Sequence, residues 1–230
     1  MVYIPANDRI SIQVSLSGYS FKVESQNPDK CFSSGWLTSD HIFTTRQFQR
    51  KYGEVRVSLL TPKVTLVPSV FFGPSKAREI LSGVASIREE DSVDYISIPE
   101  FDSILVFSNS IDESLSTVIS NTVYSDNGSR TIVLPEMYYL IKSLAECEDY
   151  NKIVASYSDS HLHLVVAQGK TLLLANVYDA PDFTTAEYFI FLAMKKLQLN
   201  PEMSAICFRT PLQDDEMMSL YRYFKTVEQI

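Results

Sequence analysis

Cysteine is scarce in this chain, and its spacing excludes two common kinds of site. Only three cysteines occur among the 230 residues, namely Cys31, Cys147 and Cys207, and no two of them have the Cys-x-x-Cys spacing. An odd number of widely separated cysteines encodes neither a zinc-binding motif nor a disulfide framework. We therefore expect reduced thiols in a cytoplasmic protein without a metal or another cofactor.

Basic residues are also in deficit. Lys and Arg number 20 against 28 Asp and Glu, so the formal net charge is −8, and no basic run exceeds Lys195-Lys196. Nucleic-acid binding requires clustered Lys and Arg that contact phosphates. The composition thus excludes nucleic acid as a general partner, and the acidity is typical of a solubility feature.

Long apolar runs are missing as well. No stretch approaches the ~18 apolar residues that a membrane-spanning helix needs. The first residues, MVYIPANDRISIQV, lack the charged region followed by an apolar run that marks a signal peptide. We expect a soluble, cytoplasmic chain with no membrane span.

Glycine is limited to seven residues, none of them adjacent, which bears on the one motif that resembles a phosphate-binding loop. In AQGKTLLLANVYD, the triplet Gly169-Lys170-Thr171 matches the end of G-x-x-x-x-G-K-[ST], but the first glycine is replaced by Leu164. The motif must also open a helix, whereas an apolar run, Leu172–Leu174, follows here. The pattern instead predicts a two-residue hairpin turn at Gly169-Lys170 before a buried strand.

The first half of the chain alternates between strand and helix patterns. Arg9–Leu16 and Ser20–Ser25 alternate apolar and polar residues around a turn, which predicts an opening hairpin. The other predicted elements are a third strand (31–37), a helix (38–53, capped by Ser39 or Thr44), two strands (54–60 and 63–68), a helix (75–86), two strands (94–99 and 103–110), an ambiguous segment (112–122), a turn at Asn127-Gly128 and an amphipathic helix from Pro135 that carries Met137, Leu140, Ile141 and Leu144.

The second half repeats the pattern of the first. It comprises three predicted strands (152–159, 161–168 and 171–179), a helix (182–199) capped by Asp182 or Thr184 and ended by Asn200-Pro201, a strand (204–209) and a helix (212–230). Two tandem βββαβα patterns predict an α/β protein of two ribonuclease H-like lobes. We assign residues 1–150 to the first lobe with a connecting helix and residues 151–230 to the second, whose last strand is not found before Ile230.

Few residues suit metal or acid–base chemistry. Asp159, His161 and His163 occupy alternate positions and could ligate zinc from one sheet face, but the pattern favours a polar, solvent-facing strand with Leu162 and Leu164 inward. No nucleophile elbow, G-x-S-x-G, occurs, and no catalytic residue is assigned. Two carboxylate clusters, 89–91 and 214–216, are interpreted as surface charge and helix capping, and Cys207 as a core residue.

Aromatic residues are plentiful. The helix around Tyr188–Phe191 is predicted to pack on the sheet, with Lys195 and Lys196 near its exposed end. A partner interface could instead use aromatic residues of other helices. The candidates are Tyr138, Tyr139, Tyr221, Tyr223 and Phe224.

Several segments carry a resemblance to a known family. The sequences ISIQVSLSGYSFKV, KVTLVPSVFF and LHLVVAQGKTLLLANVYDAPDFTTAEYFIFLAMKKLQLNPE are similar to an uncharacterised bacterial family, domain of unknown function 3822. The resemblance spans most of the chain. It implies an actin-like ATPase architecture, also seen in cytoplasmic assembly proteins of pilus and secretion machines.

The actin-like fold binds ATP with two hairpin turns of the type Asp-x-Gly, one in each lobe. The turn amides hold the phosphates and the Asp organises the metal. In this chain the resemblance places Leu16-Ser17-Gly18 at the first turn, which lacks the Asp, and Asp159-Ser160-His161 at the second, which lacks the Gly. The nucleotide cleft is therefore predicted to be degenerate, and an adenosine-binding Gly-Gly pair is absent.

From these observations we predict a non-catalytic binding or scaffold module whose partner is another protein. The alternative is a divergent actin-like ATPase. If the degenerate cleft is functional, its cofactor-binding residues are Ser17, Gly18, Asp159 and Ser160, and in the ATPase reading the Lys170 side chain joins the phosphate contacts. The sequence leaves the partner and the oligomeric state open.

Overall fold

A computed structural model of the chain describes residues 8–15, 17–38, 45–110, 124–125 and 133–230. The chain divides into two units, one formed by Met1–Leu60 and Ser110–Leu134, the other by Thr61–Asn109 and Pro135–Ile230. The units thus alternate along the sequence. The assignment of lobes to residues 1–150 and 151–230 stays a prediction.

The first unit is organised around the predicted opening hairpin. Strands β1 (Arg9–Val14) and β2 (Gly18–Glu24) pair antiparallel, and alternation along β1 buries Ile10, Ile12 and Val14. The remaining strands of the sheet are β3 (Phe32–Ser33), β4 (Leu37–Thr38), β6 (Glu54–Leu59) and β11 (Val133–Pro135). Their order is β11-β6-β1-β2-β3, with β4 also on β2 and β6 parallel to β1.

Two predictions for this unit need correction. The third strand is split into β3 and β4, with Gly35 between them at φ 62°. The helix predicted over 38–53 is wrong in its described part, because Arg46–Gln49 forms a 3-10 turn and Lys51–Tyr52 forms strand β5, parallel to β10 (Tyr124–Ser125). The candidate caps Ser39 and Thr44 lie outside the described residues, as do segment 112–122 and the Asn127-Gly128 turn.

Aromatic packing explains why the described part of segment 38–53 does not form the predicted helix. Phe48 is buried, with its ring 5.4 Å from that of Tyr19 and 5.3 Å from that of Phe21. The Tyr52 hydroxyl donates a hydrogen bond to Gln47 O at 2.9 Å. Burial of large rings contributes more free energy than the modest helix propensity of this segment.

The second unit contains the predicted hairpins. Strands β12 (Asn151–Ser158), β13 (His161–Gln168) and β14 (Thr171–Asp179) pair antiparallel in sequence, joined by two-residue turns. The turn at Gly169-Lys170 is confirmed, because Gln168 pairs with Thr171 and Gly169 has φ 58°.

Helices connect the remaining strands of this sheet. Helix α3 (Phe183–Lys196) leads to β15 (Ala205–Phe208), and α4 (Asp214–Tyr221) leads to β16 (Thr226–Gln229). Both β15 and β16 run parallel to β12, and the sheet order is β14-β13-β12-β15-β16.

A last strand, β16, is therefore present near the end of the chain, where the sequence-based expectation had none. The predicted helix over 212–230 ends at Tyr221, and β16 follows after a short turn. Neither Gly nor Pro separates the two elements, so no sequence signal marks the change. Burial determines where the helix gives way to a strand, because Phe224 and Val227 pack into the core that the sheet forms with α3 and α4.

The second sheet is covered on both faces. Alternate residues of its strands face α3 and α4 on one side, where Leu162, Leu164 and Ile206 are buried. The opposite face packs against α2 (Glu136–Ser143) and an antiparallel sheet of order β7-β9-β8. That small sheet comprises β7 (Val64–Pro68), β8 (Val93–Ile98) and β9 (Ser103–Ser108), with α1 (Ala77–Ser82) beside it.

Helix α2 agrees with its predicted pattern. It begins directly after Pro135, and the four apolar residues of the predicted pattern are buried, namely Met137, Leu140 and Ile141 within the helix and Leu144 directly after it. None of the helices within the described residues has the length and apolar character that crossing a bilayer requires.

Helix α3 begins at its predicted cap, Asp182, whereas α4 begins after Gln213, which was not predicted as a cap. Asp182 Oδ1 accepts a hydrogen bond from Thr185 N at 2.7 Å, and Glu216 completes a capping box with Gln213. Helix α3 ends at Lys196, earlier than Asn200-Pro201, and a left-handed Gln198 with φ 57° follows it. Tyr188 lies on its exposed face, unlike the buried Ile190.

Strand β14 is less buried than predicted. It forms the edge of the sheet, and each of its residues is exposed or half-buried. Leu173 is 36% exposed. An apolar run is therefore compatible with a half-buried edge strand as well as a central one.

Candidate functional site

The first candidate turn lies between β1 and β2. Ser15 N donates to Gly18 O at 2.9 Å, and Ser17 N donates to Ser15 Oγ at 3.3 Å. Leu16 lies outside the described residues. The Ser17 amide, which the ATPase reading assigns to phosphate, thus has a partner within the turn itself.

Gly18 is required by close packing. A Cβ atom at this position would lie 2.1 Å from Leu37 O, far inside contact distance, at the point where β4 pairs antiparallel with β2. Glycine permits this close backbone approach. The retained glycine therefore has a structural explanation that involves no ligand.

The second candidate turn joins β12 to β13. Asp159 and Ser160 both adopt left-handed backbone conformations, with φ 50° and 60°. Such conformations favour Gly, Asn and Asp, so Ser160 adopts its conformation at some cost in free energy. His161 Nδ1 donates to Asp159 O at 2.6 Å, and Ala180 N donates to Ser160 O at 2.7 Å.

Lys170 does not join this turn. It lies in the turn between β13 and β14, whereas Ser160 precedes β13, so the whole length of that strand separates them. Eight residues of extended strand span about 25 Å. The phosphate contact that the alternative function assigned to Lys170 together with Ser160 is therefore wrong.

The two histidines of β13 have different environments. His161 is half-buried, with Nε2 3.4 Å from Asp179 Oδ1. His163 is only 1% exposed, which corrects the interpretation of this strand as solvent-facing, although Leu162 and Leu164 point inward as predicted. Among the residues that the structure describes, no group of three His, Cys, Asp or Glu side chains is arranged to hold a metal ion.

His163 is held as a neutral imidazole. Its Nε2 donates to Thr61 O at 3.0 Å, while Nδ1 is buried and has no hydrogen-bond partner. Burial lowers the pKa of His163, although the Thr61 carbonyl and the nearby Glu136 carboxylate oppose this effect. The His163 side chain is enclosed because both faces of the sheet are covered at β13.

A buried ion pair lies in the same unit and was missed by sequence reasoning. Glu136, in the first turn of α2, is 0% exposed. Its Oε1 accepts a hydrogen bond from Ser156 Oγ at 2.6 Å and lies 3.2 Å from Arg209 Nε. The Arg209 contact is an ion pair rather than an aligned hydrogen bond, since no acceptor meets Nε with hydrogen-bond geometry.

Arg209 is positioned by the strand and by an aromatic ring. It directly follows β15, and its guanidinium lies 5.0 Å from the centre of the Tyr139 ring. Glu136 on α2, Ser156 on β12 and Arg209 thereby tie the helix to the two central strands. No motif predicts the cluster, because its members come together only through the sheet topology.

The predicted carboxylate clusters have mixed outcomes. Glu89 and Glu90 are exposed, but Asp91 is 6% exposed and forms an ion pair with Lys63. The hydrogen bond from Lys63 lowers the pKa of Asp91. Asp91 is therefore part of the structure of the small sheet, while Glu216 caps α4 as expected.

Comparison with solved structures identifies the class of fold. The chain superposes on a Bacteroides thetaiotaomicron protein with an actin-like ATPase fold and unknown function, with a TM-score of 0.63 and 20% identity, over 98% of this chain and 91% of that one. It also superposes on the PilM–PilN type IV pilus biogenesis complex, with a TM-score of 0.50 and 14% identity, over 98% and 89% of the respective chains. The α/β class and the actin-like ATPase fold are thereby confirmed.

A third solved structure superposes on the chain with a lower TM-score. It is the cytoplasmic domain of EpsL, an inner-membrane component of the type II secretion system of Vibrio cholerae, with a TM-score of 0.48 and 16% identity, over 90% of this chain and 84% of that one. A comparison with curated proteins gives no match.

The family model described as "Protein of unknown function (DUF3822)" matches residues 2–227. The chain belongs to this family, as the resemblance of its segments predicts.

Proposed function

We propose that this chain is a non-catalytic binding module that uses an actin-like fold to recognise another protein, without ATP hydrolysis. The proposal places it in the cytoplasm. Its acidity, with a net charge of −8, argues against nucleic acid as the partner.

The observation that carries the proposal is the state of the two hairpin turns. Each has lost one of the two residues that an Asp-x-Gly phosphate turn requires. At the first, Gly18 is explained by its contact with Leu37, and the Ser17 amide is already bonded. At the second, His161 stands where the motif has its glycine, and its Nδ1 bonds Asp159 O within the turn.

A catalytic group for hydrolysis is also difficult to assign. Glu136 is fully buried and paired with Arg209 and Ser156, and His163 is neutral and enclosed. A general base must be able to reach a water molecule within hydrogen-bond distance. Neither side chain has the exposure that this role needs.

Protein recognition is supported by one of the similar solved structures. The PilM–PilN type IV pilus biogenesis complex contains a fold similar to that of this chain in an assembly of two components. Because the identity is 14%, the likeness itself establishes the fold, and the protein partner is our proposal for this chain.

The absence of hydrolysis is tested by measuring phosphate release from magnesium–ATP with purified protein. We expect no release above the protein-free blank, for the wild type and for Asp159→Ala. A magnesium-dependent release that Asp159→Ala abolishes would instead establish the divergent ATPase.

Binding is tested by recovering the tagged chain from cells with and without added magnesium–ATP. The proposal predicts one defined protein partner, recovered in equal amounts under both conditions, and direct binding between the two purified proteins. Recovery only with nucleotide, or failure of the purified proteins to bind, contradicts it.

A further inference from the structure

Strand β14 is an apolar strand at an open edge of the second sheet. It pairs with β13 on one side, and on its other side no described strand pairs with it. Its sequence, TLLLANVYD, is typical of a central strand, yet none of its nine residues is buried. The strand therefore keeps apolar side chains and backbone groups available for a further strand.

The hydrogen-bond pattern shows which backbone groups of β14 are available. Ala180 N donates to Ser160 O at 2.7 Å, so every second residue from there, including Asn176, exchanges hydrogen bonds with β13. The residues between them, Ala175 and Val177, direct their N–H and C=O groups to the outer edge.

The opposite edge of the same sheet is less suited to pairing. Strand β16 has four residues, and one of them is the exposed Glu228. A short, charged edge strand discourages pairing with another chain. In β14, by contrast, the only charged residue is the last one, Asp179, and the register shift of this strand lies near its start, opposite Val166–Ala167.

The side chains of β14 contact the apolar cores on both faces of the sheet. Leu174 and Tyr178 pack partly against the core beneath α3, and Ala175 and Val177 pack partly against the core on the opposite face. Leu173 is 36% exposed. An added strand would extend both cores and remove more of this apolar surface from water.

The two ends of β14 carry opposite charges, which indicates the occupant. Lys170, directly before the strand, is exposed and forms no ion pair with a described residue. The Asp179 side chain, at the other end, is 96% exposed. Two β14 strands in antiparallel pairing bring the start of each beside the end of the other. Lys170 of each copy then lies beside Asp179 of the other.

We propose that the outer edge of β14 is a self-association surface, on which a second copy of the chain pairs its own β14 antiparallel. The two five-stranded sheets then join into one. A two-fold axis at Ala175 makes the interface isologous, so that each copy contributes the same residues. This inference goes beyond the proposed function, because the occupant is a second copy rather than a different protein.

The oligomeric state of the purified chain is the first test. Sedimentation velocity over a concentration series is expected to show a monomer–dimer equilibrium that approaches twice the chain mass. A monomer at every concentration overturns the proposal, and this includes the case in which a different protein occupies the edge.

The backbone contact is tested with Val177→Pro. Proline lacks the N–H that Val177 directs outward, and it is tolerated in an edge strand where that side faces solvent. Because the two-fold axis removes the donor twice, the dissociation constant of the dimer should rise at least ~10-fold. Melting curves verify that the variant is folded. A dimer of unchanged affinity would show that the copies meet elsewhere.

The antiparallel arrangement is tested by exchanging the charges at the strand ends. Lys170→Glu places two acidic groups together in its own dimer, and Asp179→Lys places two basic groups together, so each variant alone should dimerise more weakly, by roughly 10-fold. An equimolar mixture of the two variants should recover the wild-type affinity, because both contacts in the mixed dimer again join opposite charges. If the variants dimerise as the wild type does, or the mixture dimerises no better than its components, antiparallel pairing of β14 is wrong.

Discussion

At the scale of single residues, His163 shows how burial determines chemistry. The unfolded-state pKa of histidine is near 6.5, and burial lowers it in the folded protein. Protonation would place a second N–H at Nδ1, where no acceptor is available. Glu136 opposes the shift and His161 adds to it.

This gives a prediction for stability against pH. Because the folded-state pKa is below the unfolded value, the stabilisation is complete above pH ~6.5 and is lost as the pH falls from there towards the folded-state pKa. The slope from this one group is at most about 1.4 kcal/mol per pH unit. Urea unfolding of wild type between pH 7 and 5 measures it.

The matched variant is His163→Gln, whose amide can still donate to Thr61 O but does not titrate. Its free energy of unfolding should fall less steeply below pH 6.5. Equal slopes for the two proteins would show that His163 is not the group responsible.

Gly18 gives a second residue-level prediction. Gly18→Ala would place its Cβ against Leu37 O, so we expect a destabilisation of roughly 1–3 kcal/mol in urea unfolding. Gly73→Ala is the control, because a Cβ there has nothing within 4 Å. If Gly18→Ala costs no more than the control, the packing explanation of this glycine is wrong.

At the scale of elements, the Glu136–Arg209 pair attaches α2 to the sheet. Arg209→Met leaves the Glu136 carboxylate buried without its partner, which typically costs about 3–5 kcal/mol. Adding Glu136→Gln should recover part of this loss, since the amide carries no charge and can still bond Ser156.

A double-mutant cycle on these two positions measures the coupling between them. Arg56→Met is the control for charge removal, because the Arg56–Glu54 pair is exposed, and it should cost under about 1 kcal/mol. Additive effects of Glu136→Gln and Arg209→Met would exclude the ion pair as the link between helix and sheet.

The contribution of strand β16 to the core is tested with two single variants. Val227→Asp puts a charge into the core beneath α4, with an expected cost of roughly 3 kcal/mol or more. Lys225→Asp introduces the same residue at an exposed position and should change stability far less. Similar stabilities of the two variants would mean that β16 does not contribute to the core.

At the scale of the whole molecule, local signals predict most of the fold. Gly169 marks a hairpin, Asp182 a helix start and Pro135 another, because each acts through its own backbone geometry or hydrogen bond. The repeated order of strands and helices then predicts the α/β class and the resemblance predicts the family, both of which are confirmed.

The sequence does not predict what tertiary contacts decide. Strand β16 follows α4 without a breaking residue, and His163 is buried because a second layer covers its face of the sheet. Glu136 meets Arg209 only once the strands are ordered. The role of the two hairpin turns stays a prediction, because ligand binding depends on more residues than those of the turns.

The most direct measurement of the central claim is a thermal-melt series with ATP, ADP and a non-hydrolysable analogue, each with and without magnesium. A ligand that binds the folded state stabilises it by mass action, by about 2.7 kcal/mol at a hundred times its dissociation constant. Loss of the phosphate turns predicts no shift in melting temperature at millimolar nucleotide. A magnesium-dependent rise in melting temperature would contradict the account and support the divergent ATPase.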